Sequence, residues 1–423
     1  MKPQIQEQSL DFFKKLPQLG NVPFSAQNSD HLKNLLPPNA TEAKLFARLR
    51  ARILDLGFPG PKAEFFSQLP PTLKPDLTLW LKTPQISSSL LEESKQTLLK
   101  QVKSLLPQSV LVYTSDQFYE IEPLAEQKII EQIQAESNVL HLCQKLQSLF
   151  SIHIIIPPDT SLPNCAINWH SLCSFPFHVY MWLGKNSQTN WSLEYHSQVD
   201  TSRLCGMSLW AEPHAQVNLE VSHLSSTGVD WNHFSFVLKE GSAVTLTGYS
   251  EGSQFSHQSL SATLAEPEAR LEVKWANLLT GSHKSFLGVH VHHQVPHTHS
   301  YQEFRSIAAG QSKLGLDLAL GVYPQAAQIS ARQTIHNLLI GEQVQAQVKP
   351  QLMIFSDDVQ CSHGATTGQL DADQLFYLES RGLSPAEATA LLTESFLAPL
   401  FENSSASWKT HLQNRIHKQL EII

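Results

Sequence analysis

Cysteine is scarce in this chain and never clustered. Five occur in 423 residues, at positions 143, 165, 173, 205 and 361, with no Cys-x-x-Cys among them. An odd, scattered set argues against a disulfide framework and against a self-sufficient cluster-binding motif, and it fits a reducing cytoplasm. Long apolar runs are missing too: nothing approaches the roughly 20 residues that span a bilayer. Residues 1–20 are polar, without the apolar stretch of a signal peptide. Positive charge is limited. Thirty Lys and Arg against 38 Asp and Glu leave a net charge of −8, so there is no basic footprint for nucleic acid. No Walker A loop and no G-x-S-x-G occurs, so ATP hydrolysis by this chain itself is not expected. Asn-Gly and Asp-Gly pairs are also absent, which leans away from sheets built of tight hairpins.

What the chain does have is a change of texture near residue 150. Residues 1–56 read as helices, with Leu45, Leu49, Ile53 and Leu56 forming an amphipathic stripe. A proline- and glycine-rich connector covers 57–71, and 75–123 is mixed, with short strands expected at 77–81 and 110–113. Helical periodicity returns over 122–150 and carries Cys143 in its apolar stripe. From 151 to about 355 short alternating segments recur instead, among them 192–196 (SLEYH), 215–221 (AQVNLEV), 243–247 (AVTLT) and 269–275 (ARLEVKW). Such strands make a sandwich, a barrel or a β-helix, and periodicity cannot choose among them. Cys165, Cys173 and Cys205 fall in this region without acidic or histidine company and read as core residues.

Histidine is plentiful, at 20 residues, and densest over 289–299 (VHVHHQVPHTH). On a strand His290 and His292 share one face, while Val289, Val291 and His293 share the other. Imidazole suits several transition metals, which makes His293 a candidate ligand; a polar strand face running into a histidine-bearing loop explains the cluster equally. A His-metal-dependent β-helical hydrolase or lyase is the enzyme alternative. It would need a closed ligand set, and the 293–297 H-x-x-x-H contains Pro296, which opposes a helix there.

The densest stretch is 349–382, KPQLMIFSDDVQCSHGATTGQLDADQLFYLESRG. Ser356, Asp357 and Asp358 are turn chemistry. Residues 359–363 then read as a short extended piece. Two positions apart, Cys361 and His363 point to one face, about 7 Å apart at the backbone. They could share a soft metal, or the imidazole could lower the thiol pKa; a small buried thiol beside a hydrogen-bonded histidine would look the same. Gly364 and Gly368 bracket an expected small-residue turn. Asp371 is a candidate helix cap, and Ser384 to Glu387 forms a capping box with Pro385 at the first helical position.

Over 349–388 the pattern KPQL-x-I-x-x-DDV-x-CSHGAT-x-G-x-L, then LFYL-x-SRG, closely resembles the C-terminal signature of the SufB/SufD family of iron–sulfur cluster assembly proteins. Residues 293–305 (HQVPHTHSYQEFR) resemble a weaker upstream piece. Pro59, Lys62 and Glu64 resemble a decayed N-terminal element. Ser362-His363-Gly364 is similar to the SufD branch, because the SufB branch carries a His-Glu pair there. The resemblance implies a right-handed parallel β-helix flanked by helical N-terminal and C-terminal regions. The expected divisions are 1–150 helical or mixed, 151–362 β-helix, and 363–423 helical. It further implies a non-catalytic assembly subunit that pairs with a SufB-like subunit through the last coils and binds a SufC-like ABC ATPase through its C-terminal helices. Cys361 and His363, with His293 as a weaker third, are then metal-handling residues at the partner interface. Phe376, Tyr377, Arg381, Gly382 and Phe396 fall in the ATPase-docking segment. No tightly bound cofactor is expected, only iron or an iron–sulfur cluster in transit. Alone, the chain could cover its open end with a second copy. A chain ending at Leu383 is expected to lose the ATPase and keep the solenoid.

Overall fold

The computed structural model describes residues 21–22, 43–56, 58–59, 88–115, 117–118, 127–131, 150–168, 177–196, 203–224 and 226–420. Helix α1 (Ala43–Leu56) and helix α2 (Ser88–Leu105) belong to the N-terminal region. Two short strands, β1 (Asn21–Val22) and β2 (Phe58–Pro59), pair antiparallel there, so 1–56 is not helical throughout. Helix α2 lies where mixed structure was expected. Leu98, Leu99 and Val102 turn its apolar face into the core. Strand β3 (Leu111–Thr114) follows, close to the expected 110–113. Cys143, Cys173, Lys62, Glu64 and the 77–81 segment lie outside the described residues.

Sixteen strands then alternate between two parallel sheets. The first sheet takes β4 (Phe150–Ile156), β6 (Phe177–Leu183), β8 (Arg203–Ala211), β10 (Ser226–Leu238), β12 (Ser253–Leu264), β14 (Lys284–His293), β16 (Lys313–Val322) and β18 (Gln345–Ile354), with β3 antiparallel at its N-terminal edge. The second takes β5 (Ser161–Asn168), β7 (Gln188–His196), β9 (Gln216–Leu224), β11 (Ala243–Ser250), β13 (Arg270–Leu279), β15 (His299–Ala309), β17 (Ile329–Ile340) and β19 (Val359–Gly368). The protein is therefore a parallel β-solenoid of about seven turns with helices at its C-terminus.

The repeat is carried by register. Gln188 stands over Ser161, Gln216 over Gln188, Ala243 over Gln216, Arg270 over Ala243, His299 over Arg270, Ser330 over His299 and Gln360 over Ser330. Alternate residues such as Val217, Leu219 and Val221, or Val244 and Leu246, point inward and stack into one continuous apolar core. Each turn is folded at a left-handed residue in the same place, successively Asp159, Asn186, His214, Gly241, Glu268, His297 and Gln328. Only one of these is glycine. The column is thus invisible to a search for glycine punctuation, although left-handed backbone usually favours that residue.

At the C-terminus come α3 (Ala372–Ser380), α4 (Pro385–Leu397), a 3₁₀ turn (Ala398–Phe401) and α5 (Ala406–Leu420). Both expected caps are present. Asp371 accepts from the amides of Asp373 and Gln374, and Ser384 and Glu387 close a reciprocal capping box. The expected turn over 364–368 is absent. Thr334 to Leu338 pair with Gly364 to Gly368 in parallel, so the two glycines continue β19. The solenoid consequently runs to Gly368, and 363 is not its limit.

Candidate functional site

The last turn, β18 and β19, is the end of both sheets, and no strand among the described residues lies above it. Its inward-facing residues are accordingly only half covered. Ala346 and Val348 pack on the main core, while Leu352, Val359 and Cys361 pack on a second cluster of Leu320, Val322, Ile329 and Ala331. Among the described residues, these two adjacent strands thus end both sheets and carry partly exposed apolar side chains, a ready template for another chain. Ile354 and Phe355, at the end of β18, are exposed as well, and no local sequence pattern marks either.

Cys361 stands over Ala331 and His363 over Gln333 on the inward face of β19. The structure therefore brings the expected pair together on one face of the open end. Burial pushes the Cys361 thiol up from its ordinary value, with no cation acting against it. The expected lowering by His363 is not what the surroundings produce: a half-buried thiol loses water without gaining a positive neighbour. Among the described residues, no three His, Cys, Asp and Glu side chains gather into a set able to hold a metal. Two donors fall short of a closed site.

His293 belongs elsewhere. It lies on β14, two turns below the end, in the interior, as the alternation over 289–293 predicts. Both ring nitrogens meet hydroxyls, Nδ1 with Thr298 Oγ1 at 2.7 Å and Nε2 with Ser300 Oγ at 2.9 Å. Burial depresses its pKa to about 3, helped by His292 and His299. With its one donor and one acceptor nitrogen both engaged inside the solenoid, His293 is a structural hydrogen-bonding residue and does not join Cys361 and His363. His290 and His292 face outward on the same strand. No closed His-metal set that a hydrolase or lyase would need is found among the described residues.

The five docking candidates divide. Helix α3 has no buried residue; Phe376 is 72% exposed and Tyr377 55%. The Arg381 guanidinium lies over the Tyr377 ring, 5.1 Å from its centre. Gly382 ends α3 at φ 98°, its amide donating to the Glu379 carbonyl while the Leu383 amide reaches Leu378. This is a Schellman cap, so Gly382 is fixed by backbone conformation. Phe396 is half-buried and packs with Leu397 and Leu400 against the outer face of the second sheet. Arg305 sits 5.6 Å from its ring centre and donates to its carbonyl at 2.7 Å. Phe396 anchors α4 to the solenoid.

The sequence also gave no warning of the ion pair that fastens α5. Glu251, fully buried, accepts from Arg415 Nε at 2.9 Å and from Gln419 Nε2 at 3.1 Å. Around it Trp408, Leu412, Ile416 and Leu420 cover Leu224, Tyr249, Ala276 and Leu278. Residues 164 apart in sequence leave no local signal.

Residues 170–396 match the family model described as SUF system FeS cluster assembly, SufBD core domain. Among known proteins, the chain is 36% identical over 110 residues to the iron–sulfur cluster assembly protein SufD of Escherichia coli, covering 26% of each chain. It is 30% identical over 191 residues to an iron–sulfur cluster assembly SufBD family protein of Synechocystis, covering 44% of this chain and 42% of the relative. It is 39% identical over 75 residues to SufD of Bacillus subtilis, covering 18% and 17%. The matched stretches span less than half of these relatives' own length. No described helix is long and apolar enough to cross a membrane.

Proposed function

The chain belongs to the SufBD family of iron–sulfur cluster assembly proteins and is most like SufD within it, and we propose that it is the non-catalytic partner subunit of a cytoplasmic cluster-assembly scaffold. A SufB-like subunit covers the open end of the solenoid, and a SufC-like ATPase grips the C-terminal helices. Iron, or a cluster under construction, is cargo there and not a resident cofactor. Cys361 and His363 supply two donors, and the facing subunit completes the set. The single observation that supports this most directly is the last turn, which no described strand covers, carrying both side chains at its rim. It offers an edge for pairing and an incomplete ligand set in one place.

The exposed face of α3 is the ATPase contact in this scheme, because a helix with no buried residue contributes nothing to the core it leaves uncovered. The test is co-expression with SufB-like and SufC-like chains. Cys361→Ala and His363→Ala are expected to co-purify with both partners at unchanged stoichiometry while cluster production in cells falls. Unchanged cluster output in both variants rejects the site. Failure of the native chain to recover either partner rejects the scaffold role.

A further inference from the structure

Beneath His363 the apolar interior gives way to a column of amides. Gln302 on β15, Gln333 on β17 and His363 on β19 occupy one register position on three successive turns. Gln302 and Gln333 are both fully buried. Gln333 Nε2 donates to Gln302 Oε1 at 3.0 Å, which ties the lower end of the Gln333 amide. The carbonyl at its other end, Oε1, is buried and has no hydrogen-bond partner. A buried amide oxygen without a partner is destabilising, and one turn further, about 4.8 Å along the ladder, stands His363. Below Gln302 the same position is filled by Val273 and then Leu246. The polar column is therefore confined to the turns that lead to His363.

Resting on the assignment of His363 to the iron-handling rim, we infer that Gln333 is a positioning residue for it. With the His363 ring rotated towards the column, its inner N–H donates to the Gln333 side-chain carbonyl, which is without a partner in the resting structure. That fixes the tautomer and leaves the outer nitrogen's lone pair free for an incoming divalent cation. Imidazole ligands are ordinarily held by such a partner on their second nitrogen. Cys361 has no counterpart, since Ala331 beneath it offers only a methyl group. The column thus serves one of the two donors and gives the rim its asymmetry.

Long-range ¹H–¹⁵N correlation of the full chain carrying ¹⁵N-histidine, at a pH where the ring is neutral, reads the tautomer directly. The His363 signals are those lost in His363→Gln. A single tautomer is expected in the native chain. Gln333→Leu should give a mixture of both, and Gln333→Glu, which keeps an oxygen acceptor, should restore the single form. If Gln333→Leu does not fold, replacing both amides (Gln302→Leu with Gln333→Leu) removes the column without leaving an orphan and should show the same mixture. An unchanged tautomer population in the folded variant overturns the inference. Cluster production by His363→Ala tests the site separately: normal output there rejects the iron-handling assignment while the tautomer result stands by itself.

Discussion

His293 shows how one residue's surroundings set its chemistry. Held between two hydroxyls and cut off from water, it stays neutral, with a pKa near 3 against an ordinary 6.5. Because the folded-state value is depressed, the unfolded chain takes up the proton first as pH falls. The contribution is complete above the unfolded pKa and is lost progressively from about pH 6.5 towards 3. From neutral pH to about pH 5 that is a loss of about 2 kcal/mol from this residue. His257, buried among aromatic rings with its pKa also near 3, adds a second loss of the same sign. Urea midpoints at the two pH values should therefore drop on acidification. His293→Gln, which keeps a donor and an acceptor, should drop by about 2 kcal/mol less. An equal drop in both proteins would show that His293 is not buried neutral.

At the scale of elements, the two ends of the C-terminal region do opposite things. Helix α3 stands clear of the solenoid, whereas α5 is bolted to it through Glu251 and a row of apolar side chains. Removing everything after Leu383 strips that cover, exposes Leu224, Tyr249 and Leu278, and takes the Arg415 and Gln419 donors away from Glu251. The expectation that such a truncation spares the solenoid does not hold against this packing. Breaking the buried pair alone, with Arg415→Ala, should cost about 3–5 kcal/mol in chemical denaturation; a cost below about 1 kcal/mol would mean that water reaches Glu251. The clean probe of docking is Phe376→Ser with Tyr377→Ser. This variant should unfold within about 0.5 kcal/mol of the native chain, as surface changes do, yet fail to retain the ATPase. Undiminished ATPase retention would move the contact away from α3.

For the whole molecule, the decisive feature is that a stack of identical turns must stop somewhere. The N-terminal end of the first sheet is closed by β3 pairing antiparallel with β4. Among the described residues the C-terminal end has no such strand, and its apolar interior is only partly buried at the rim. In the absence of partners, the chain should pair through that end with a second copy. Val348→Lys places a charge on the inward face of an edge strand, a substitution that blocks strand addition, and should sediment as a monomer. A native chain that remains monomeric at high micromolar concentration would show that the end is stable uncovered.

The sequence by itself determined the family, the β-rich middle, the helix caps at Asp371 and Ser384, and the shared face of Cys361 and His363. Each of these is local: alternation, capping and a contiguous signature act within a few residues. Only the tertiary structure decided that Gly364 to Gly368 is strand, because its partners lie thirty residues back on β17. It likewise decided that His293 is enclosed, that Phe396 anchors a helix, and that Gln302, Gln333 and His363 form one column. These depend on stacking, which makes neighbours of residues a full turn apart. The turn length itself drifts along the chain and is set by packing, so no fixed spacing in the sequence announces which residues will meet.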